Sequence, residues 1–397
     1  MIMMLFSIIG KDEMMKRCRW IVVSLTFVLF LFLTGGPSAL AVSVGVLKDT
    51  DRIYVPVRYL SEQFGYEATW NPHDQRITLS NQQNTVILQV NSRTVHLNGE
   101  AVTTDASPFI KSGITFIPLR LVSDAMGIAV TWDDQRFQVE LMKDGTKVVL
   151  PVMTEQRWNE TVERSPIQNK AHTILVQKKK ISANVVTVDL LHPKVSLKVA
   201  VAEGKVGNVS ELKEIAADNG AAVAINGTFF DAYTESSIKS PYGYIVAEGE
   251  IVNSASWDKR TVFSFDRQNT PGMFSGEQFL EILISSEEEV YGALQVGPRL
   301  LMDGEVSVDP ESEGFRDPKI LTMSGARSAL GITKDYKLLI VTTNGATIPE
   351  LAEVMRQTGA YQAMNMDGGA SSGLWLNEKY ITKPGRAISN ALLVVLN

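Results

Sequence analysis

Cysteine is all but absent. The 397-residue chain has one, Cys18, and only four histidines, and that scarcity removes whole classes of chemistry. A single cysteine forms no intrachain disulfide, and past residue 18 there is neither a thiolate nucleophile nor a thiolate metal site. No G-x-S-x-G elbow is expected, and no H-E-x-x-H pair or phosphate-cradling G-x-x-x-x-G-K-[ST] loop occurs. His172 and His192 sit in β-rich stretches far from any glycine-rich motif, which argues against a Ser-His-Asp mechanism or a His-ligated zinc. Basic residues form no stripe: 38 Lys and Arg face 44 Asp and Glu, a net charge of −6. That balance points away from a nucleic-acid partner. The chemistry left to this chain belongs to carboxylates, arginine, amides and hydroxyls.

Long apolar runs are confined to the start. Lys16, Arg17 and Arg19 precede the run Trp20 to Leu33, and Ala39-Leu40-Ala41 fits a small-x-small cleavage site. Residues 1–41 therefore read as a signal peptide. The run is short for a membrane span, which needs about 20 residues. The expectation is a secreted or wall-associated protein with no membrane attachment after cleavage. An exported, disulfide-free chain suits a bacterial surface, particularly a Gram-positive one.

Next comes a repeat. "IYVPVRYLSEQFGYEATWNPHDQRITL" (53–79) returns as "TFIPLRLVSDAMGIAVTWDDQRFQVEL" (115–141). Pro56/Pro118, Arg58/Arg120, Ser61/Ser123, Gly65/Gly127 and Trp70/Trp132 correspond. Each copy predicts a strand, a short helix and a second strand. Val57, Leu60 and Phe64, matched by Leu119, Val122 and Met126, fall on one helix face. The glycines suit helix C-termini, and the tryptophans read as core anchors. This doublet resembles the stalk module named after the N-terminal domain of copper amine oxidases. No ligand cluster surrounds His73 or His96, so no copper is expected. The resemblance implies a spacer or wall-attachment role for residues 42–143.

Residues 144–170 are polar and weakly patterned, and read as a linker. From Ala171 to Asn397 β-branched runs dominate, and the fold class expected for the chain is α+β: a small doubled β-α-β stalk module followed by a mixed α/β domain. Two stretches of this domain share a grammar. Ser210 is placed to cap a helix to about Asp218, Gly220 ends it, and a strand leads into "NGTFFD". Thr347 and Glu350 have capping-box spacing, Gly359 ends that helix, and a strand leads into "MNMDGGASSGLW" (364–375). Aligned on their glycines, Asn226 falls opposite Asn365. Both loops lie just past strands that follow helices, where α/β sheets tend to hold ligands.

Four clusters carry the polar residues: "AINGTFFD" (224–231), "GPRLLMDGEV" (297–306), "RSALGI" (327–332), and "MNMDGGASSGLW" with "GRAISNALLV" (385–394) behind it. In this order they resemble the phosphodiester glycosidase family, whose bacterial members are often exopolysaccharide-related. The likeness covers about residues 175–397. It implies a hydrolase acting on a sugar-1-phosphodiester in cell-wall glycan, teichoic-acid-like polymer or exopolysaccharide, with no cofactor and no metal. Relatives commonly carry glycine where Ala370 stands and often threonine where Gly373 stands, which puts substrate fit in question.

Breaking a sugar–phosphate bond at the anomeric carbon builds oxocarbenium character that a carboxylate can stabilise, attack or relieve through water. The departing phosphate ester needs charge stabilisation, which an arginine fork supplies. Asp367 is the central candidate, Asp231 a second carboxylate, and Arg327 the phosphate partner, with Arg299 and Arg386 as alternates. Gly368 and Gly369 offer backbone N–H groups. Asn226, Gly227, Thr228, Ser371, Ser372 and Asn390 are the expected contacts to sugar or water. Each also has a plainer reading: Asp-Gly is a favoured turn pair, Asn-Gly a left-handed turn, and an arginine can serve a structural carboxylate. Two other functions stay open, a non-catalytic wall- or polysaccharide-binding protein and metal-assisted P–O cleavage by the same carboxylates.

Overall fold

The computed structural model describes residues 44–48, 51–133, 137–285 and 290–397. The expected signal peptide, residues 1–41, including Cys18 and Ala39-Leu40-Ala41, lies outside them.

Each repeat folds as its pattern predicts. Strand Arg52–Pro56, helix Val57–Gln63 and strand Glu67–Asn71 form the first copy. Ile114–Pro118, Leu119–Met126 and Ala129–Asp133 form the second. The two leading strands pair antiparallel with each other inside a seven-stranded sheet. Leu60, Leu119, Val122 and Met126 are buried, and Gly127 closes its helix in the left-handed region at φ 67°. The shared serines have a structural reason: buried Ser61 and Ser123 each donate to the carbonyl three residues back, at 2.9 Å. The tryptophans do not anchor the core. Trp70 is 45% and Trp132 40% exposed, because each stands on a strand at the edge of its sheet.

The stretch 144–170 is not a linker in form. It contains strand Thr146–Thr154, helix Glu155–Glu163 and the start of strand Ile167–Val176. Thr154 caps the helix by accepting from the Arg157 amide. Helix polarity hid a single deep anchor, Trp158, fully buried against Phe116 with Val44, Met153 and Leu191 in the same cluster. Tyr336 Oη donates to Gln138 at 3.0 Å, and Arg157 Nη2 donates to the Asp335 carbonyl at 2.7 Å. The repeat module and the later region therefore share one apolar seam and form one compact unit.

Beyond the seam lie three antiparallel sheets. The first has seven strands, with Lys337–Ala346, Gly325–Ile332 and Gln362–Asn365 at its centre. The second has five, with Asn390–Leu396 and Ala221–Asn226 central. The third, also five-stranded, carries Ile245–Ala247, Gly292–Gln295 and Val262–Phe265. Strand periodicity assigns the faces. Val223, Ile225, Leu392 and Val394 point into a core shared with Leu330, Ile340 and Met364 of the first sheet and Phe263 of the third. Their neighbours Ala224, Ala391 and Leu393 turn outward onto helix Leu212–Asp218. Helix Ile348–Gln357 covers the outer face of the first sheet through Leu351, Val354 and Met355.

That second helix has the capping box its sequence predicts, between Thr347 and Glu350. The first starts one residue later than expected: Glu211 is the cap, boxed with Glu214, and Ser210 bonds the Glu214 carboxylate at 2.5 Å. Both helix–strand–loop units exist, but in different, facing sheets without parallel strands around them. Their loops meet because the sheets face each other. Trp158→Ala is expected to cost about 3–5 kcal/mol, against about 0.5 kcal/mol or less for exposed Trp70→Ala. Urea unfolding of the two variants would compare them.

Candidate active site

Asn226 ends its strand fully buried, and every hydrogen bond of its carboxamide crosses to another segment. Nδ2 donates to the Asp367 carbonyl at 2.7 Å. Oδ1 accepts from Ser328 Oγ at 2.8 Å and from the Gly373 amide at 2.9 Å. The Asp367 amide returns a bond to the Gly227 carbonyl at 3.2 Å. The "NGTFF" and "DGG" loops are thereby clasped together. A Cβ on Gly227 would lie 1.9 Å from Asn390 Oδ1, so only glycine fits there. Asn390 in turn accepts from the Thr228 amide at 2.9 Å and donates to Thr228 Oγ1 at 2.7 Å. Asn226, Thr228 and Asn390, expected to meet substrate, are committed to one another and to the loops. They are scaffold.

The clasp presents Asp367. Its carboxylate accepts from the Gly368 amide at 2.9 Å and from the buried Ser371 hydroxyl. Burial pushes its pKa up to about 6, partly opposed by those two bonds and by the charge of Arg386. With the Gly368 amide thus engaged, Gly369, exposed at φ 61°, forms the open edge of the loop. Residues 369–373 do spell G-x-S-x-G, against the expectation that the chain has no such elbow. Here Ser371 lies in a 3₁₀ turn, Gly369–Ser371, rather than a strand-to-helix elbow, and its partner is a carboxylate.

Arg327 is 4% exposed and has no carboxylate partner among the described residues. Nε donates to the Ala346 carbonyl at 2.9 Å, and Nη2 to the carbonyls of Lys319 and Met323, both at 2.7 Å. Nη1 is the arm left over, and it lies beside Gly368: a Cβ built there would be 3.6 Å away. Burial lowers the pKa of this guanidinium. On the strands beside it the buried oxygens of Thr343 and Asn365 (Oγ1 and Oδ1), and in the Asp367 loop that of Ser372 (Oγ), make no hydrogen bond within the protein. Thr343 pairs directly with Arg327 across the ladder, and Asn365 pairs with Ala329 on the other side. The alignment of Asn365 with Asn226 was the one available signal for it; Thr343 carried none.

The remaining candidates separate. Arg299 turns away, donating to Gln362 at 3.0 Å and to the Met273 carbonyl at 2.9 Å. Its own amide is held by Glu313 at 2.6 Å, in a turn where Asn365 Nδ2 also grips the Gly297 carbonyl at 2.9 Å. The "GPRL" motif is therefore structural. Asp231 is half-buried on the next loop and acts on Tyr242, whereas the charge acting on Asp367 is that of Arg386. Arg386 Nη2 reaches Tyr233 Oη at 2.9 Å on the rim. Phe229 is core, edge-on to Phe315 at 5.9 Å. Among the described residues no group of three or more His, Cys, Asp or Glu side chains is placed to hold a metal ion.

A half-buried carboxylate, a buried guanidinium without a carboxylate partner and two clasped glycine loops on facing sheets meet at one place. Two family models match in the same places. Residues 219–395 match the phosphodiester glycosidase family, and residues 38–141 the copper amine oxidase N-terminal domain. The later stretch is thus similar to a phosphodiester glycosidase domain and the earlier one to a copper amine oxidase N-terminal domain. The N-acetylglucosamine-1-phosphodiester alpha-N-acetylglucosaminidase of Mus musculus is 25% identical over 189 residues, 44% of this chain and 35% of that protein. The chain therefore spans about a third of that curated relative's length. The catalytic domain of the zebrafish enzyme of that name, auto-inhibited by its pro-peptide, shares 19% identity at a TM-score of 0.49, over 59% of this chain and 85% of that one. A hypothetical protein from Synechocystis is 12% identical at a TM-score of 0.51, over 87% of this chain and 94% of that one. This last likeness concerns the fold alone.

The raised pKa of Asp367 has a consequence for stability. Its folded value, about 6, exceeds the ordinary 3.8, so folding favours the neutral form. The penalty is absent below about pH 4, grows between 4 and 6 and is full above 6, amounting to at most about 3 kcal/mol. Asp367→Asn keeps the shape and removes the charge. Its melting temperature is expected to exceed that of the parent at pH 8 and to match it near pH 4, in calorimetric scans of both proteins.

Proposed function

We propose that this chain is an exported hydrolase that cleaves the glycosyl–phosphate bond of a sugar-1-phosphodiester in cell-wall glycan, teichoic-acid-like polymer or exopolysaccharide. The observation that carries the reading is Arg327: a buried cation without a counter-charge, one arm open beside the Asp367 loop. A buried charge is costly unless paired, and a phosphate oxygen is a natural partner for that arm. The unpartnered oxygens of Thr343, Asn365 and Ser372 add polar capacity nearby. The family match and the mouse relative's name support the substrate class. The N-terminal sequence supports export, and the repeat module supports a spacer or wall-attachment role.

The chemistry follows from the two charged groups. The bond from the anomeric carbon to the bridging phosphate oxygen breaks, and the phosphate monoester departs with the bonding pair. Arg327 Nη1 stabilises that charge. Ionised Asp367 offsets the positive charge on the sugar, or receives a proton from the attacking water. Water supplies the hydroxyl of the free sugar. Arg386 is near enough for its charge to act on Asp367.

Purified protein incubated with an N-acetylglucosamine-1-phosphodiester should release free sugar, and Asp367→Asn should lower kcat/KM by several orders of magnitude. Because the ionised carboxylate is required, activity should rise with pH through about 6 and level off above it. Sugar phosphate as product would mean P–O cleavage instead. Polymer binding with no product of either kind would leave the non-catalytic binding protein.

A further inference from the structure

Beside Asp367 the surface carries a group that the hydrolytic step does not use. Tyr233, on the loop after Asp231, is 77% exposed. Leaving an aromatic ring in water forgoes about 1.5–3 kcal/mol of burial, yet this ring is held in place. Its Oη accepts from Arg386 Nη2 at 2.9 Å, and the Arg386 guanidinium lies 4.7 Å from its centroid. Lys319 Nζ lies 5.5 Å from the same centroid.

Neither cation joins an ion pair among the described residues, although such pairs are frequent elsewhere on this surface. Lys319 is fixed through its backbone: its amide donates to the Asp317 cap at 2.9 Å, and its carbonyl accepts from Arg327 at 2.7 Å. The guanidinium beneath the Asp367 loop thus also holds the lysine on the rim. Two cations without an ion pair, both over one tyrosine ring whose hydroxyl one of them holds, in a chain of net charge −6, are the elements of an anion clamp.

We propose that Tyr233, Arg386 and Lys319 form a second anion subsite on the leaving-group side. It takes the next phosphate along the substrate, so that the preferred substrate is a chain of phosphodiesters rather than an isolated diester. This rests on the hydrolase reading for the position of the first phosphate. The ligand chemistry does not: any phosphate-bearing chain reaching the rim meets the same clamp.

The test compares two synthetic substrates, a sugar-1-phosphate methyl ester and the same sugar phosphate esterified to glycerol phosphate, at low salt where rim charges are least screened. The protein as it stands should prefer the second by about tenfold or more in kcat/KM, the worth of one charge-assisted contact. Lys319→Ala and Tyr233→Ala should each shrink that preference to about threefold or less, as should high salt. No preference, or one that survives both variants, overturns the proposal. A second arm separates the two readings: calorimetric titration of Asp367→Asn with polyglycerol phosphate, with and without Lys319→Ala. If neither substrate is hydrolysed but this binding depends on Lys319, the hydrolase reading fails and the subsite stands. If hydrolysis occurs and binding ignores Lys319, the subsite fails alone.

Discussion

The geometry of the site depends on one carboxamide. Asn226 belongs to the five-stranded sheet, Ser328 to the seven-stranded one, and Asp367 and Gly373 bracket the glycine loop between them. A single planar group with a donor at one end and an acceptor at the other joins all four positions. No apolar side chain could do this, and aspartate would lack the donor the Asp367 carbonyl requires. Without it, three buried partners would be left unsatisfied at about 1–3 kcal/mol each. Such networks specify one arrangement because every alternative leaves a polar group stranded. The Asp367 loop is rigid for that reason, despite two glycines.

Rigidity is what lets the two charges sit where they do. Arg327 fixes three carbonyls with Nε and Nη2 and so cannot swing toward a carboxylate. Asp367 is tied by its own neighbours Gly368 and Ser371. Opposite charges free to move would collapse into a salt bridge and cancel. Held apart, each keeps a raised free energy that the proposed substrate would relieve: a phosphate oxygen for the cation, a developing positive carbon for the anion. Electrostatic preorganisation of this kind has the environment arranged before the substrate arrives.

Patterns with a period were legible in the sequence. The doubled strand–helix–strand, the Thr347–Glu350 box and the two helix–strand–loop units follow from spacing and capping chemistry, which are local. What the sequence hid was direction. Asn226, Thr228 and Asn390 have the composition of ligand contacts and the geometry of scaffold, because whether an amide faces a neighbour or a cavity is decided by segments over 100 residues away. The tryptophans show the same limit: Trp70 and Trp132 recur in register but stand on edge strands, while Trp158, in an unremarkable polar stretch, anchors the seam. Tyr233 and Lys319 belong to no motif, and only folding brings them to Arg386.

The two departures from the family pattern can be judged by the same local physics. Ala370 stands in the 3₁₀ turn without a positive φ, so its backbone is one that any residue adopts, and the glycine common in relatives is not required there. Its carbonyl takes the Gly385 amide at 2.8 Å, tying the loop to the "GRAISN" segment. Gly373 is the stricter position. A Cβ there would lie 2.3 Å from Pro384 and 2.9 Å from Leu212, so a threonine has no room. Its amide is one of the Asn226 bonds, and displacing it would loosen the clasp itself. The alanine is thus a tolerated exchange on the exposed side of the loop. The glycine is a compensated one: the chain has packed Pro384 and the first helix into the space a side chain would fill. Both changes leave the Asp367 carboxylate, its Ser371 partner and the free arm of Arg327 intact, so on the proposed hydrolase reading any difference in substrate lies at the rim rather than at the bond that breaks.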